Sequence, residues 1–104
     1  MRFVVQMEDM INDDGNIEVV NVFECFGEYS NLHEAKAVAQ KLVEDIKNHK
    51  CQYTKEISHP YNWIGVVISK YHSDNIKGRR PNNGAPGSVV DVIEIADIPP
   101  EVWN

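Results

Sequence analysis

The sequence predicts an α+β fold of order ββαββ, in which one amphipathic helix packs on one face of a four-stranded, mainly antiparallel sheet. Three observations support this fold: an Asp-Gly turn between two apolar runs, a following segment with apolar residues at helical spacing, and two β-branched runs near the carboxyl end. The chain of 104 residues suffices for one core of helix on sheet. We therefore expect a single domain over residues 1–104.

The first two strands form a predicted hairpin over residues 2–11 and 17–26. Asp14 and Gly15 between them suit the central positions of a type I′ turn, which makes Asp13 face Asn16. The resulting register pairs Met7 with Val22, Val5 with Glu24 and Phe3 with Phe26. One predicted face carries Phe3, Val5, Met7, Val20, Val22 and Phe26. The other carries Val4, Met10, Ile17, Val19, Phe23 and Cys25, and is more apolar than a solvated face needs to be.

A helix of about four turns is predicted after the hairpin. Asn31, with Glu34 three residues later, resembles a capping box, and Ser30 is the alternative cap. The apolar positions at helical spacing are Leu32, Ala35, Val38, Ala39, Leu42 and Ile46. One face of this helix should therefore pack on the sheet.

Two strands are predicted after a polar link, over residues 61–71 and 89–98, and Pro99-Pro100 ends the second. In the first of them Trp63 and Val67 alternate with Ile64, Val66 and Ile68. Whichever set faces the helix, the other set leaves apolar groups on the open face of the sheet. Residues 72–88 are predicted to form a flexible loop, and residues 99–104 a carboxyl-terminal tail.

Composition narrows the classes of partner. Asp and Glu outnumber Lys and Arg by 16 to 10, and this excess opposes non-specific binding to nucleic acid or to anionic lipid.

The start, MRFVVQMEDM, offers no apolar stretch long enough for a signal peptide or a membrane span. Cys25 and Cys51 form no CxxC motif and are interpreted as reduced thiols. We expect a cytoplasmic protein that does not bind a membrane.

No catalytic or metal-binding constellation is predicted, and no cofactor is expected. His59 and His72 lie at opposite ends of the third strand, roughly 40 Å apart if it is extended. His72-Ser73-Asp74 contains the residue types of a hydrolytic triad, but three consecutive residues cannot adopt its geometry.

The segment KGRRPNNGAPGS, residues 77–88, concentrates positive charge in an acidic chain. It lacks the spacing of a nucleotide-binding loop. Three interpretations stay open: a solvated connection, a protein-binding finger, and a nucleic-acid-binding finger.

The sequence as a whole favours a small, acidic, non-catalytic protein-binding module of the adaptor or inhibitor type, acting through the open sheet face and the 77–88 loop. By analogy of type, accessory proteins of phages and mobile elements have this character. The expected partner is a protein, with a homodimer also expected. The partner-binding candidates are Lys77, Arg79, Arg80, Asn82, Asn83, Phe23, Trp63 and Trp103. The alternatives are a nucleic-acid-binding module that uses the loop, and a small enzyme with a site formed across subunits. Trp103 is expected either to dock on the domain or to anchor a partner.

Overall fold

The computed structural model describes residues 2–71 and 89–104, so the expected loop at 72–88 lies outside the described residues. The strands are β1 (Arg2–Asp13), β2 (Asn16–Phe23), β3 (Glu28–Tyr29), β4 (Trp63–Tyr71) and β5 (Val89–Ile98). The helices are α1 (Leu32–Lys47) and the one-turn α2 (Pro100–Trp103), and a 3-10 turn spans Gln52–Glu56. One main helix on a mostly antiparallel sheet confirms the predicted α+β fold, and β3 is a fifth strand that the sequence did not indicate.

The sheet has the strand order β2-β1-β4-β5, and all of its pairings are antiparallel. Strand β1 is long enough to pair with β3 near its start and with β2 along its second half. β1 and β4 are therefore the central strands, while β2 and β5 lie on the outside.

The turn of the first hairpin confirms the prediction, but the register beyond it is wrong by one residue. Asp14 and Gly15 have positive φ angles of 50° and 89°. Met7 pairs with Phe23 instead of Val22, because a bulge interrupts the pairing and leaves Val20 as an extra residue on β2. A slip of one residue reverses the face of every side chain that follows it. Phe23 consequently lies on the same face as Met7, which is the helix side, whereas the predicted register placed it on the face of Val4 and Met10.

The second strand also ends earlier than predicted. A turn follows Phe23, and the chain returns to β1 as β3, where Phe3 pairs with Tyr29 and not with Phe26. Gly27 makes this turn possible, since its φ of +101° disfavours any residue with a Cβ atom. Its carbonyl accepts the N–H of Val5 at 3.2 Å, which replaces the predicted pairing of Val5 with Glu24.

The core lies between α1 and one face of β1 and β4. Asn31 caps α1 as predicted, and its side chain accepts the backbone N–H of His33 at 2.7 Å. The buried side chains of this layer are Phe3, Val5, Met7, Ala35, Ala39, Leu42, Ile46, Ile64, Val66 and Ile68. Each large aliphatic side chain buried there contributes about 1.5–3 kcal/mol. Neither helix in the described part of the chain is long and apolar enough to cross a membrane.

The carboxyl-terminal segment is docked on the domain, which confirms one of the two expectations for Trp103. Its side chain is 8% exposed, and its indole N–H donates to the Asn62 carbonyl at 2.8 Å. Asn62 in turn donates its side-chain amide to the Asp9 carboxylate at 2.7 Å. The tail, the link before β4 and the central strand β1 are thus joined by buried polar contacts.

Candidate protein-binding surface

The sheet face opposite α1 is less open at its centre than the sequence suggested. Strand alternation places on it Val4, Gln6, Glu8 and Met10 of β1, and Trp63, Gly65, Val67 and Ser69 of β4. Of these, Val4, Gln6, Met10, Val67 and Ser69 are buried. Gly65 allows the Met10 side chain to lie across the strand, because a Cβ atom there would be 3.0 Å from the Met10 sulfur.

The buried polar groups on this face satisfy one another. The Ser69 hydroxyl donates to the Gln6 side-chain carbonyl, and the Gln6 amide donates to the Glu24 carboxylate at 3.1 Å. Paired polar groups of this kind stabilise the fold and offer little to a partner. Most of the large apolar side chains that are exposed in the described residues lie on the outer strands β2 and β5.

Strand β2 carries the largest run of exposed apolar side chains among the described residues. Ile17 is 53% exposed, Val19 43%, Val20 41% and Val22 39%, and we call these four side chains the β2 strip. β2 pairs with β1 only, so one edge of its backbone has no neighbouring strand in the described sheet. Long, apolar, exposed edge strands are templates for pairing with another chain.

Side chains protect part of each outer strand. On β2 the Asn21 side-chain carbonyl accepts the N–H of Val22 at 2.9 Å, and on β5 the Asp91 carboxylate accepts the N–H of Val92 at 2.9 Å. A backbone donor that is bonded to the preceding side chain is less available to an incoming strand. The described contacts contain no bond of this kind between Asn16 and Val20, so the unprotected part of β2 is its first five residues.

The β2 strip lies within the longest stretch of the sequence that contains no Lys or Arg. From residue 3 to residue 35 there are eight Asp and Glu residues and no Lys or Arg. Arg2, just before this segment, is already paired with Glu28 at 3.2 Å. The hairpin and the β3 turn therefore carry an excess of negative over positive charge.

Further carboxylates lie on the same sheet face. The register places Glu8 and Asp97 on either side of Gly65. Burial raises the pKa of Glu8, and repulsion from Asp97 and then from Glu94 raises it further. Burial is the larger cause, and the neighbouring carboxylates add to it.

A concave region lies between α1 and the turn after β2. Its apolar lining includes Phe26, Val38, Leu42 and Tyr53, and the Phe26 and Tyr53 rings meet edge to face at 5.4 Å. Burial raises the pKa of Cys51 in this region, which makes its thiol a poorer nucleophile at neutral pH. These contacts indicate packing and give no sign of a reaction site.

The structure does not bring the three predicted partner-binding aromatic residues into one patch. Phe23 is half-buried on the helix side, 6.4 Å from the Tyr53 ring, and Trp63 is half-buried opposite Met10 on the other face. Trp103 is buried. The remaining candidates, Lys77, Arg79, Arg80, Asn82 and Asn83, lie outside the described residues. A role of these residues in partner binding stays a prediction.

Sequence reasoning missed the β2 strip as a site, although one signal was present. The stretch without Lys or Arg is visible in the sequence, whereas the outer position of β2 depends on strand order. Across residues 2–71 and 89–104, no three His, Cys, Asp or Glu side chains are grouped so that they could hold a metal ion. The chain matches no protein-family model, no curated protein and no solved structure.

Proposed function

We propose that this protein is a non-catalytic protein-binding module of the adaptor or inhibitor type, which uses β2 to bind a basic segment of a partner protein. The observation that carries the proposal is the β2 strip itself, an exposed apolar outer strand within 33 residues that contain no Lys or Arg. Apolar contact supplies affinity, and the negative field selects a basic partner and steers its approach.

The β2 strip alone offers too little binding free energy for a stable complex. Fully burying a Val or Ile side chain yields about 1.5–3 kcal/mol, so the remaining exposed fraction of each side chain offers about 0.6–1.5 kcal/mol. Four such side chains offer about 2.5–6 kcal/mol, against an association cost of about 4–15 kcal/mol. Charge pairs or backbone hydrogen bonds must therefore contribute to a stable complex.

A second copy of this chain fits β2 less well than a basic partner does. Pairing two β2 strands would bring together two acid-rich hairpins, in which the one basic side chain, Arg2, is already paired with Glu28. Like charges at close range oppose association, and salt screens them only beyond about 8 Å. The expected homodimer is thus the competing outcome of the tests below.

The basic residues Lys77, Arg79 and Arg80 are proposed as a separate contact with an acidic patch on the partner. They remain the sequence-based candidates, and replacing all three by Ser should weaken partner binding while leaving the melting temperature nearly unchanged. Nucleic acid is the rival ligand of this loop. Salt-steep binding of DNA or RNA that the triple replacement abolishes would favour that alternative.

Selection from a library of random twelve-residue peptides tests the proposed function. The protein is immobilised, and the selection is repeated with Ile17→Thr/Val19→Thr/Val22→Thr, which keeps β-branched residues on β2 but removes apolar surface. Val92→Thr is the matched control, because Val92 is 49% exposed on the other outer strand. We expect peptides rich in Lys, Arg and apolar residues that bind the wild type and Val92→Thr but not the triple variant.

Two results would contradict the proposal. Equal enrichment on the wild type and the triple variant would show that β2 is not the binding surface. Light scattering that detects a dimer of the wild type, and a monomer of the triple variant, would assign the strip to a second copy of the chain instead of a basic partner.

A further inference from the structure

We infer that the partner binds as an extended strand, which pairs with the free edge of β2 over residues 16–20 and adds a strand to the sheet. This inference rests on the proposed function and specifies its binding mode. It predicts that backbone hydrogen bonds supply the affinity that the β2 strip alone does not provide.

The backbone of β2 is available for this pairing. Strand β2 hydrogen-bonds with β1 along one edge, and in the described sheet no strand lies along its other edge. In an antiparallel pair, alternate residues direct their N–H and C=O groups to opposite edges, so five residues offer two or three positions for bonding. The Asn21 side chain, bonded to the N–H of Val22, marks where the available edge ends.

The side chains of β2 specify the sequence of the incoming strand. Ile17 and Val19 pair with Asn12 and Met10, which places them on the face opposite α1. Glu18 pairs with Ile11 and points to the helix side of the sheet. Residues directly opposite each other on adjacent strands are in contact, and opposite charges there are stabilising.

The expected partner segment therefore has a Lys or Arg opposite Glu18 and apolar residues opposite Ile17 and Val19. This alternation of basic and apolar residues suits an edge strand whose two faces differ. A segment with Asp or Glu at the central position would meet Glu18 and be rejected. Charge thus selects both the partner and its register.

A synthetic peptide with alternating Val and Lys tests the strand pairing. Its dissociation constant is measured for the wild type, and the protein amides of residues 16–20 are followed by hydrogen exchange. We expect those amides that face the free edge to become protected. Alternate N–H groups of the bound peptide point toward β2, and the others point away from it. Methylating those that point toward β2 should weaken binding about tenfold for each bond lost, whereas methylating the others should have little effect.

A charge exchange provides the matched control. Glu18→Lys should lose affinity for the Val-Lys peptide and gain affinity for a Val-Glu peptide of the same length. Asn21→Val, which removes the side-chain acceptor, should extend protection to the amide of Val22 and strengthen binding. Both variants are first compared with the wild type by their amide spectra, so that an unfolded variant is recognised.

The outcomes separate the binding mode from the function. If the Val-Lys peptide binds and neither set of N-methyl groups weakens its affinity, strand pairing is wrong, although the proposal of a basic partner survives. If this peptide does not bind at millimolar concentration, strand pairing is also contradicted. The proposed function fails separately, when library selection yields no basic peptides that depend on the β2 strip.

Discussion

Replacing Asp9 by Ala should strongly destabilise the protein, because this carboxylate joins three parts of the chain. Asp9 is 0% exposed and accepts the backbone N–H of Ser58 at 2.8 Å and the side-chain amide of Asn62 at 2.7 Å. The carbonyl of Asn62 holds the Trp103 indole. Loss of Asp9 therefore leaves polar groups without their acceptor and loosens both the link before β4 and the tail.

The size of the effect follows from these two bonds. A hydrogen bond to a charged group contributes about 1.5–3 kcal/mol, so two bonds contribute about 3–6 kcal/mol. Removing a buried charge recovers part of its desolvation cost, and Ser58 remains exposed enough to bond water. We expect Asp9→Ala to lower the free energy of unfolding by about 3 kcal/mol, a large share of the 5–15 kcal/mol typical of small domains.

Urea unfolding of Asp9→Ala measures this loss, with Asp45→Ala as the control. Among the described residues the Asp45 carboxylate bonds only the exposed Lys41, at 3.4 Å, so its replacement should cost less than about 1 kcal/mol. In a Trp63→Phe background, the emission of Trp103 should shift toward that of a solvated indole. Equal destabilisation by the two replacements, or unchanged emission, would refute the role assigned to Asp9.

Three further predictions concern single residues. Glu8→Gln should stabilise the protein at neutral pH but not at a pH below the ordinary pKa of Glu. The pKa of Glu8 is higher in the folded than in the unfolded protein, so folding favours the protonated side chain. Any stability that protonated Glu8 contributes is therefore present at low pH and is lost as the pH rises, and Gln cannot lose it. Urea unfolding at pH 3 and pH 7 checks this, and an equal effect at both would contradict it. Gly27→Ala should cost more than Gly15→Ala, about 2–3 against about 1 kcal/mol, because both have positive φ but only a Cβ at Gly27 meets the Tyr29 hydroxyl, at 2.7 Å. Equal melting temperatures of these two variants would argue against that clash. Asn31→Ala should lower the free energy of unfolding by about 1 kcal/mol and Asn31→Asp should not, and a thermal melt that does not distinguish them would contradict the cap.

The elements of the fold were largely predictable, because each depends on local chemistry. The Asp14-Gly15 turn, the Asn31 cap and the strand that ends before Pro99 are all short-range signals. The docking of Trp103 was expected from the cost of leaving an indole in water. These features agree with the structure because local preference and tertiary packing favour the same conformation.

The register and the candidate site were less predictable, because they depend on contacts between distant residues. The bulge at Val20 and the turn at Gly27 are set by how β1 pairs with two strands at once. Strand order, which places β2 on the outside, is likewise a tertiary property. The sequence did show the acidic stretch around β2, and that charge pattern becomes informative once the exposed strand is known.

Binding of a basic segment to β2 is tested most directly by titrating the Val-Lys peptide into the wild type, into Val92→Thr and into Ile17→Thr/Val19→Thr/Val22→Thr at low and high salt. We expect equal affinity for the wild type and Val92→Thr, weaker binding to both at high salt, and at least tenfold weaker binding to the triple variant. Equal affinity for all three proteins would contradict the assignment of β2 as the binding surface.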